Sequence, residues 1–190
     1  MSNLFNPFRY IAGLKSLVWG TIFIVAMSLL LWGGGMIQDG YVHYTYFIGP
    51  YWKVLYAEII FWLVPSLLLW LCGMMLSASK IRIVDVFGTL AFSRLAILPT
   101  VAVTVIPQFQ AVVNKLIASL QGGVQPSGAD VAVLLVALIV VLCGLILYYI
   151  WSYNAYAVSC NIRGWRALTT FVLVQLLCTL FGGYLLLPIQ

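Results

Sequence analysis

The chain has 190 residues, of which 64% are hydrophobic and only 7% are charged, and its formal net charge is +5. Soluble globular domains carry about 25% charged residues, so a chain with this composition lacks the charged side chains that a water-exposed surface needs. The composition excludes an ordinary soluble protein and favours the lipid bilayer as the solvent of the fold.

Near the amino terminus, the stretch NPFRYIAGLK predicts a short interfacial helix. Asn6 is expected to cap it, Pro7 suits its first turn, and Phe8 is expected to dip into lipid. The apolar run that follows continues into GGGMIQ without the small-residue cleavage pattern of a signal peptide. We therefore interpret that run as a retained membrane span.

Five apolar segments are long enough to cross a hydrocarbon core of ~30 Å, which needs about 20 helical residues. They lack the alternation of a barrel strand, so we predict helices. The predicted spans are 16–35, 54–76, 84–106, 131–151 and 167–187. The expected fold is an all-α integral membrane protein, a bundle of five transmembrane helices forming one domain over residues 1–190.

Lysine and arginine predict the orientation of these spans, because cytoplasmic loops carry an excess of both. The segments on the amino-terminal side of the membrane hold six such residues, and the opposite segments hold only Lys53 and Lys115. The six are Arg9, Lys15, Lys80, Arg82, Arg163 and Arg166. This distribution favours a cytoplasmic amino terminus and, with five spans, a carboxyl terminus outside.

The segment after Pro107 predicts a short amphipathic helix in the outer interface, because its apolar residues recur on one side at helical spacing. These residues are Phe109, Val112, Val113, Leu116, Ile117 and Leu120. Gly122 and Gly123 are expected to end this helix, and Asp130 is expected to be the N-cap of the fourth span.

No pattern in the sequence indicates catalysis or a cofactor. His43 is the only histidine and has no neighbouring ligand at metal-binding spacing, and the four cysteines lack zinc or redox spacing. The spans contain no paired aspartates, no HExxH zinc helix and no phosphate-binding loop. We therefore predict a protein that is not an enzyme, with no metal, no cofactor and no nucleic-acid partner.

Arg94 is the residue that most needs an explanation, because it lies near the middle of the third span. A charge at the centre of a membrane helix costs ~2.5–3.5 kcal/mol on insertion scales. Asp85 is nine residues earlier on the same helix and points to the opposite face. It is instead expected to cap the third span or to pair with Arg82 or Lys80.

Two sets of partners for Arg94 are considered. Glu58 in the second span is the obvious counter-charge, but the predicted depths differ and the side chains lean apart, so a direct pair requires strong tilt or a helix broken at Pro65 or Pro99. The favoured hypothesis is a polar pocket at the inner leaflet, completed by a lipid phosphate or water. Its protein partners would be Gln175, Tyr149 and Tyr153. Arg94 can also serve a purely structural role by snorkelling and pinning the bundle.

Three stretches resemble the Yip-domain family of five-span membrane proteins, whose eukaryotic members interact with Rab-type GTPases. They are NPFR before the first span, SKIRIVDVFGTLAFSRLAILP across the second inner loop and third span, and YNAYAVSCNIRG after the fourth. The resemblance covers nearly the whole chain and is greatest to short bacterial members. The long cytosolic amino-terminal region of the eukaryotic members, with its acidic-aromatic motif, is missing here, so Rab binding is not carried over.

The resemblance implies a non-enzymatic protein of the bacterial inner membrane that organises the membrane through protein or lipid partners. In this hypothesis, a basic cytoplasmic surface attracts anionic inner-leaflet lipids, and a homo-oligomer is possible. The surface consists of Lys80, Arg82, Arg163 and Arg166. The alternative is a small transporter or lipid-moving protein with a polar path through Arg94, Glu58 and Gln175. Five spans without a visible repeat argue against the alternative.

Overall fold

The structure, a computed structural model, describes residues 6–123 and 125–184. A 3₁₀ turn at Pro7–Arg9 comes first, and a small hairpin follows the first helix. The helices and strands, in chain order, are α1 (Leu14–Gly33), β1 (Met36–Gln38), β2 (Tyr44–Tyr46), α2 (Tyr51–Leu76), α3 (Ile83–Ser93), α4 (Leu98–Thr104), α5 (Pro107–Leu120), α6 (Gly128–Ser159) and α7 (Trp165–Phe181).

Within the described residues, five helical stretches are long and apolar enough to cross a membrane, as the sequence predicts. They are Leu14–Gly33, Tyr51–Leu76, Ile83–Thr104, Gly128–Ser159 and Trp165–Tyr184. The third stretch joins α3 to α4 through a 3₁₀ segment. The fifth span was predicted to reach residue 187, and residues 185–187 lie outside the described part of the chain.

Helix α6 is longer than predicted, with 32 residues instead of the 21 in 131–151. At 1.5 Å per residue it is roughly 48 Å long, which exceeds the hydrocarbon core. The prediction that Asp130 caps it is wrong. Ser127 is the N-cap, and Asp130 completes a capping box by accepting a 3.0 Å hydrogen bond from the Ser127 backbone N–H.

The amino-terminal segment also differs from its prediction. It forms the short 3₁₀ turn, and the Asn6 side chain makes no capping hydrogen bond. Phe8, expected in lipid, is 1% exposed and packs edge-on against Phe92 and Trp151, with ring centroids 6.2 and 6.1 Å away. An aromatic ring buries more apolar area against these rings than a shallow position in the interface would allow.

Helix α1 crosses α3 at very short range because both helices present small residues. A Cβ added to Gly20 would overlap Ala91 and the backbone of Phe92. A Cβ added to Gly88 would lie 2.7 Å from the Ser16 hydroxyl. Small residues at such crossings let two backbones approach, which is the main way transmembrane helices gain packing energy.

The end of the bundle opposite Lys80 and Arg163 holds the amphipathic helix and a hairpin. Helix α5 forms at the predicted residues, with Val112 buried. The hairpin pairs Met36 with Tyr46 and Gln38 with Tyr44, and it was not predicted. Gln38 is 0% exposed, so the hairpin inserts this side chain into the end of the bundle, although His43 and Tyr46 stay exposed.

Candidate functional site: the buried Arg94 centre

The third span is broken at the residue that carries the buried charge. Arg94 is the first residue of the 3₁₀ segment Arg94–Ile97, and α4 begins at Leu98 with Pro99 in its first turn. Pro99 has no backbone N–H, so it cannot donate the regular α-helical bond to the Leu95 carbonyl four residues earlier. The Leu98 N–H accordingly bonds the Leu95 carbonyl, three residues back.

Arg94 forms a direct ion pair with Glu58 inside the bundle. Its Nη2 donates to Glu58 Oε2 at 2.6 Å and to Gln38 Oε1 at 2.8 Å. The arginine and glutamate side chains are 3% and 0% exposed. The hypothesis that Arg94 reaches inward to the cytoplasmic headgroups is therefore wrong. Its charge is neutralised by Glu58 of α2, and Gln38 of the hairpin accepts a hydrogen bond from it.

The depth argument against this pair fails because the helix ends lie elsewhere than predicted. Helix α2 begins at Tyr51 and not at Val54, which puts Glu58 about 10 Å below the surface at the hairpin end of the bundle. The third span ends at Thr104, which puts Arg94 roughly 17 Å below the same surface with the longer 3₁₀ rise included. The depths of Glu58 and Arg94 then differ by about 6 Å, a distance that an arginine side chain can span. The predicted helix ends gave a difference of about 12 Å.

Gln38 is the partner that sequence reasoning missed. It ends β1, and its two amide atoms are used in different directions: Oε1 accepts from Arg94, and Nε2 donates to the Tyr41 carbonyl at 2.8 Å. A signal for it exists in the sequence. The run MIQ and the run YTY flank DGYVH, and Asp-Gly between two strand-forming runs is typical of a hairpin.

A pair of tyrosines extends the polar centre. The Tyr41 and Tyr148 hydroxyls lie 2.7 Å apart, and both residues are 4% exposed. Burial, and secondarily the nearby Tyr148, raise the pKa of Tyr41 well above its usual range. Tyr41 therefore stays neutral at physiological pH and acts in this pair as a hydrogen-bonding group without charge.

Of the predicted pocket residues, Glu58 joins Arg94, but Gln175, Tyr149 and Tyr153 do not. Gln175 is 6% exposed and lies near the Tyr41 hydroxyl, but its amide atoms have no hydrogen-bond partner within the described residues. Tyr149 and Gln175 share a separate crevice of about 230 Å³ between α6 and α7. Tyr153 packs against Phe171, with ring centroids 5.7 Å apart.

Of the tyrosines on α6, the one near Arg94 is Tyr148, one residue away from the predicted Tyr149. Small and polar residues on α6 recur every four positions and mark its inward stripe, which contains Gly144, Tyr148, Ser152 and Tyr156. Ser152 faces Ser93, with the hydroxyls 3.1 Å apart. That spacing is visible in the sequence, and it would have selected Tyr148 over the predicted Tyr149.

A small cavity of about 10 Å³ borders Arg94, Tyr41 and Tyr148. This volume is about what a single water molecule needs. In the described part of the chain, Arg94 Nε and Glu58 Oε1 have no hydrogen-bond partner. The centre is therefore a tight ion pair with little spare volume, and it does not have the size of a pocket for an organic ligand.

The four basic residues predicted to form a cytoplasmic surface are all exposed, and they lie at one end of the bundle. Lys80 and Arg82 connect α2 to α3, and Arg163 and Arg166 lie between α6 and the first turn of α7. These connections adjoin, since a Cβ on Gly73 would lie 2.5 Å from Cys160 Sγ and 3.2 Å from the Ile81 side chain.

Asp85 lies near the same end but does not have the roles predicted for it. It occupies the first turn of α3, whose N-cap is Arg82 with no side-chain capping bond. Within the described residues its carboxylate forms no ion pair with Lys80 or Arg82. A carboxylate in this first turn still opposes the positive end of the helix dipole favourably.

Comparison of the chain with protein-family models, with curated proteins and with solved structures gave no match in any of the three. The resemblance to the Yip-domain family stays a prediction. The functional argument therefore depends on the geometry alone: five apolar helices, a neutralised polar centre, and a basic surface at one end.

Proposed function

We propose that this chain is a multi-pass integral membrane protein with a non-enzymatic, membrane-organising role. Its basic end would bind a partner protein or anionic lipids of the cytoplasmic leaflet. Membership of the Yip-domain family, a bacterial inner-membrane location and a cytoplasmic amino terminus are parts of the same proposal. Each lysine or arginine near an anionic surface contributes about 1 kcal/mol of attraction.

One observation carries this proposal: the Arg94 charge is satisfied inside the protein, 2.6 Å from Glu58 with both side chains almost fully buried. An ionisable residue within a membrane is a functional site by default, but here its partners come from α2 and the hairpin. The arrangement locks three parts of the chain together. Lys80, Arg82, Arg163 and Arg166, in contrast, are exposed at the basic end and can therefore act on a partner.

The test is recovery of bound lipids and proteins after mild extraction. In the basic-end variant, Lys80, Arg82, Arg163 and Arg166 are all changed to Gln, and the control changes Lys53 and Lys115 to Gln at the other end. Native mass spectrometry and pull-down should show loss of anionic lipid or partner only in the basic-end variant. Equal recovery from both variants would contradict the proposal.

The second candidate is a transporter that uses the polar centre. The observation in its favour is that Gln175, Arg94 and Glu58 keep buried atoms without hydrogen bonds among the described residues. Proteoliposomes can separate the two functions. A solute or lipid flux that disappears in Arg94→Gln, while the variant stays monodisperse, would favour transport over a scaffold.

A further inference from the structure

A groove of about 620 Å³ lies at the outer end of the bundle, between the hairpin and helix α5. Its size falls within the range of pockets that hold organic ligands. Apolar side chains form most of its walls, among them Met36, Phe109 and Val113, and the polar groups His43 and Asn114 also line it. The Asn114 amide donates to the Tyr46 hydroxyl at 3.2 Å and so joins the two sides.

The groove continues into the surface that lipid would cover. Helix α5 is packed at Val112, but further along the apolar residues Leu116, Ile117 and Leu120 are 40%, 50% and 81% exposed. Ile117 belongs both to this exposed strip and to the groove wall. An occupant can therefore enter sideways from the bilayer without crossing water.

The ionisable side chains near the groove occur in pairs. His43 Nδ1 lies 2.6 Å from the Asp39 carboxylate, and Lys115 lies 3.2 Å from the Asp130 carboxylate. Such an arrangement offers no net positive site for an anionic headgroup. It matches a headgroup that is zwitterionic or neutral and can hydrogen-bond to amide and imidazole groups.

Tyr44 separates the groove from the Arg94 centre. It lines the groove, whereas its hydroxyl is buried, with no hydrogen-bond partner in the part of the chain that the structure describes. Glu58 and Arg94 are close enough to act electrostatically on this hydroxyl. A hydrocarbon chain in the groove would cover Tyr44 and keep water from the ion pair, which strengthens the pair because charges attract more in a medium of low dielectric constant.

We propose that this groove binds an acyl chain of a zwitterionic or neutral phospholipid from the outer leaflet. The proposal rests on the membrane location proposed above. The apolar walls would hold the chain, and the polar groups of His43 and Asn114 would hold the headgroup. The bound lipid would thereby complete the outer seal of the bundle.

The test uses the full chain in nanodiscs that contain phosphatidylethanolamine with a photoactivatable diazirine near the end of one acyl chain. We expect crosslinks at Phe109, Val113 or Thr104 that unlabelled phosphatidylethanolamine suppresses and phosphatidylglycerol suppresses less. Val113→Trp fills the groove and should abolish these crosslinks. Leu135→Trp, on the exposed face of α6, is the matched control and should leave them unchanged.

Crosslinks spread evenly over α6, without saturation, would overturn the proposal, and so would crosslinks to a second copy of the chain. If Val113→Trp is not monodisperse, Ile117→Trp replaces it as the filling variant. The outcome is independent of the basic-end test. If the basic-end variant loses its partner but keeps the labelling of the groove, both proposals are supported. If the basic-end variant keeps its partner, only the proposed scaffold function is contradicted.

Discussion

Arg94 Nη2 and Glu58 Oε2 lie 2.6 Å apart in the interior of the bundle, although they belong to helices separated by a connection at the opposite end. Removing two charges from water is costly, and their attraction compensates only if the remaining polar atoms are also bonded. Gln38 supplies one such bond from the hairpin, whereas Arg94 Nε and Glu58 Oε1 have no partner within the described residues. The pair and its bond to Gln38 connect α2, the third span and the hairpin, and we call this arrangement a lock.

The first prediction concerns the coupling within this pair. Arg94→Gln leaves Glu58 as an unpaired buried charge, and Glu58→Gln does the same to Arg94, so each should cost about 3–5 kcal/mol of unfolding free energy. The double variant removes both charges and should cost clearly less than the sum. Reversible unfolding in mixed micelles, followed by tryptophan fluorescence, measures all three. Additive single effects would contradict the lock.

The second prediction concerns Gln38. Gln38→Leu removes an acceptor from Arg94 and a donor from the Tyr41 carbonyl, and each lost buried hydrogen bond should cost about 1–3 kcal/mol. The hairpin should then open more often, so proteinase K should cleave within residues 36–47 faster than in the parent. Ile48→Ala changes a fully exposed side chain beside the hairpin and serves as the control. Equal cleavage in both variants would mean that Gln38 does not hold the hairpin.

The spans were predictable because lipid leaves few alternatives to a long apolar helix, and helix α5 was predictable from its apolar stripe. The error at Arg94 arose from two small boundary shifts, at Tyr51 and Thr104, and from the 3₁₀ break. Helix ends are the least reliable part of a prediction from sequence. Here a shift of a few residues decides whether Arg94 is expected to reach a pocket at the inner leaflet or the Glu58 carboxylate. The Asp-Gly between two strand-forming runs indicates the hairpin, but it does not show that the hairpin folds back and buries Gln38 in the bundle.

The third prediction concerns the close crossing of α1 and α3. Gly20→Ala forces a methyl group onto Ala91 and the backbone of Phe92, so it should destabilise the bundle by about 1–3 kcal/mol. Gly33→Ala is the matched control in the same helix, because an added Cβ there meets nothing within 4 Å. Thermal unfolding monitored by size-exclusion chromatography compares the two. A smaller shift for Gly20→Ala than for Gly33→Ala would disprove the tight crossing.

The fourth prediction concerns the Cys160 thiol at the basic end. Burial, and secondarily Cys72, raise the pKa of Cys160 to about 12. Because an ordinary thiol has a pKa near 8.5, the thiolate fraction of Cys160 at pH 8 is roughly 1 in 10⁴, and maleimide should react only after local opening. The unfolded chain gives up this proton more readily, so stability should fall as pH rises above about 8.5.

The control for Cys160 is Ser79→Cys, an exposed position in the adjoining connection. In a background in which Cys72, Cys143 and Cys178 are replaced by Ala, this thiol should label within minutes under conditions that leave Cys160 intact. Rapid labelling of Cys160 in the folded protein at pH 8 would contradict its buried position.

The fifth prediction fixes the orientation of the bundle. From the excess of lysine and arginine at the end that holds Lys80 and Arg163, we expect that end in the cytoplasm and the hairpin outside. In a cysteine-free background, His43→Cys should react with an impermeant maleimide in intact spheroplasts, and Ser79→Cys should react only after permeabilisation. Both side chains are exposed, so access to solvent does not bias the comparison. The reverse pattern would place the basic residues outside and remove the electrostatic basis for an inner-leaflet partner.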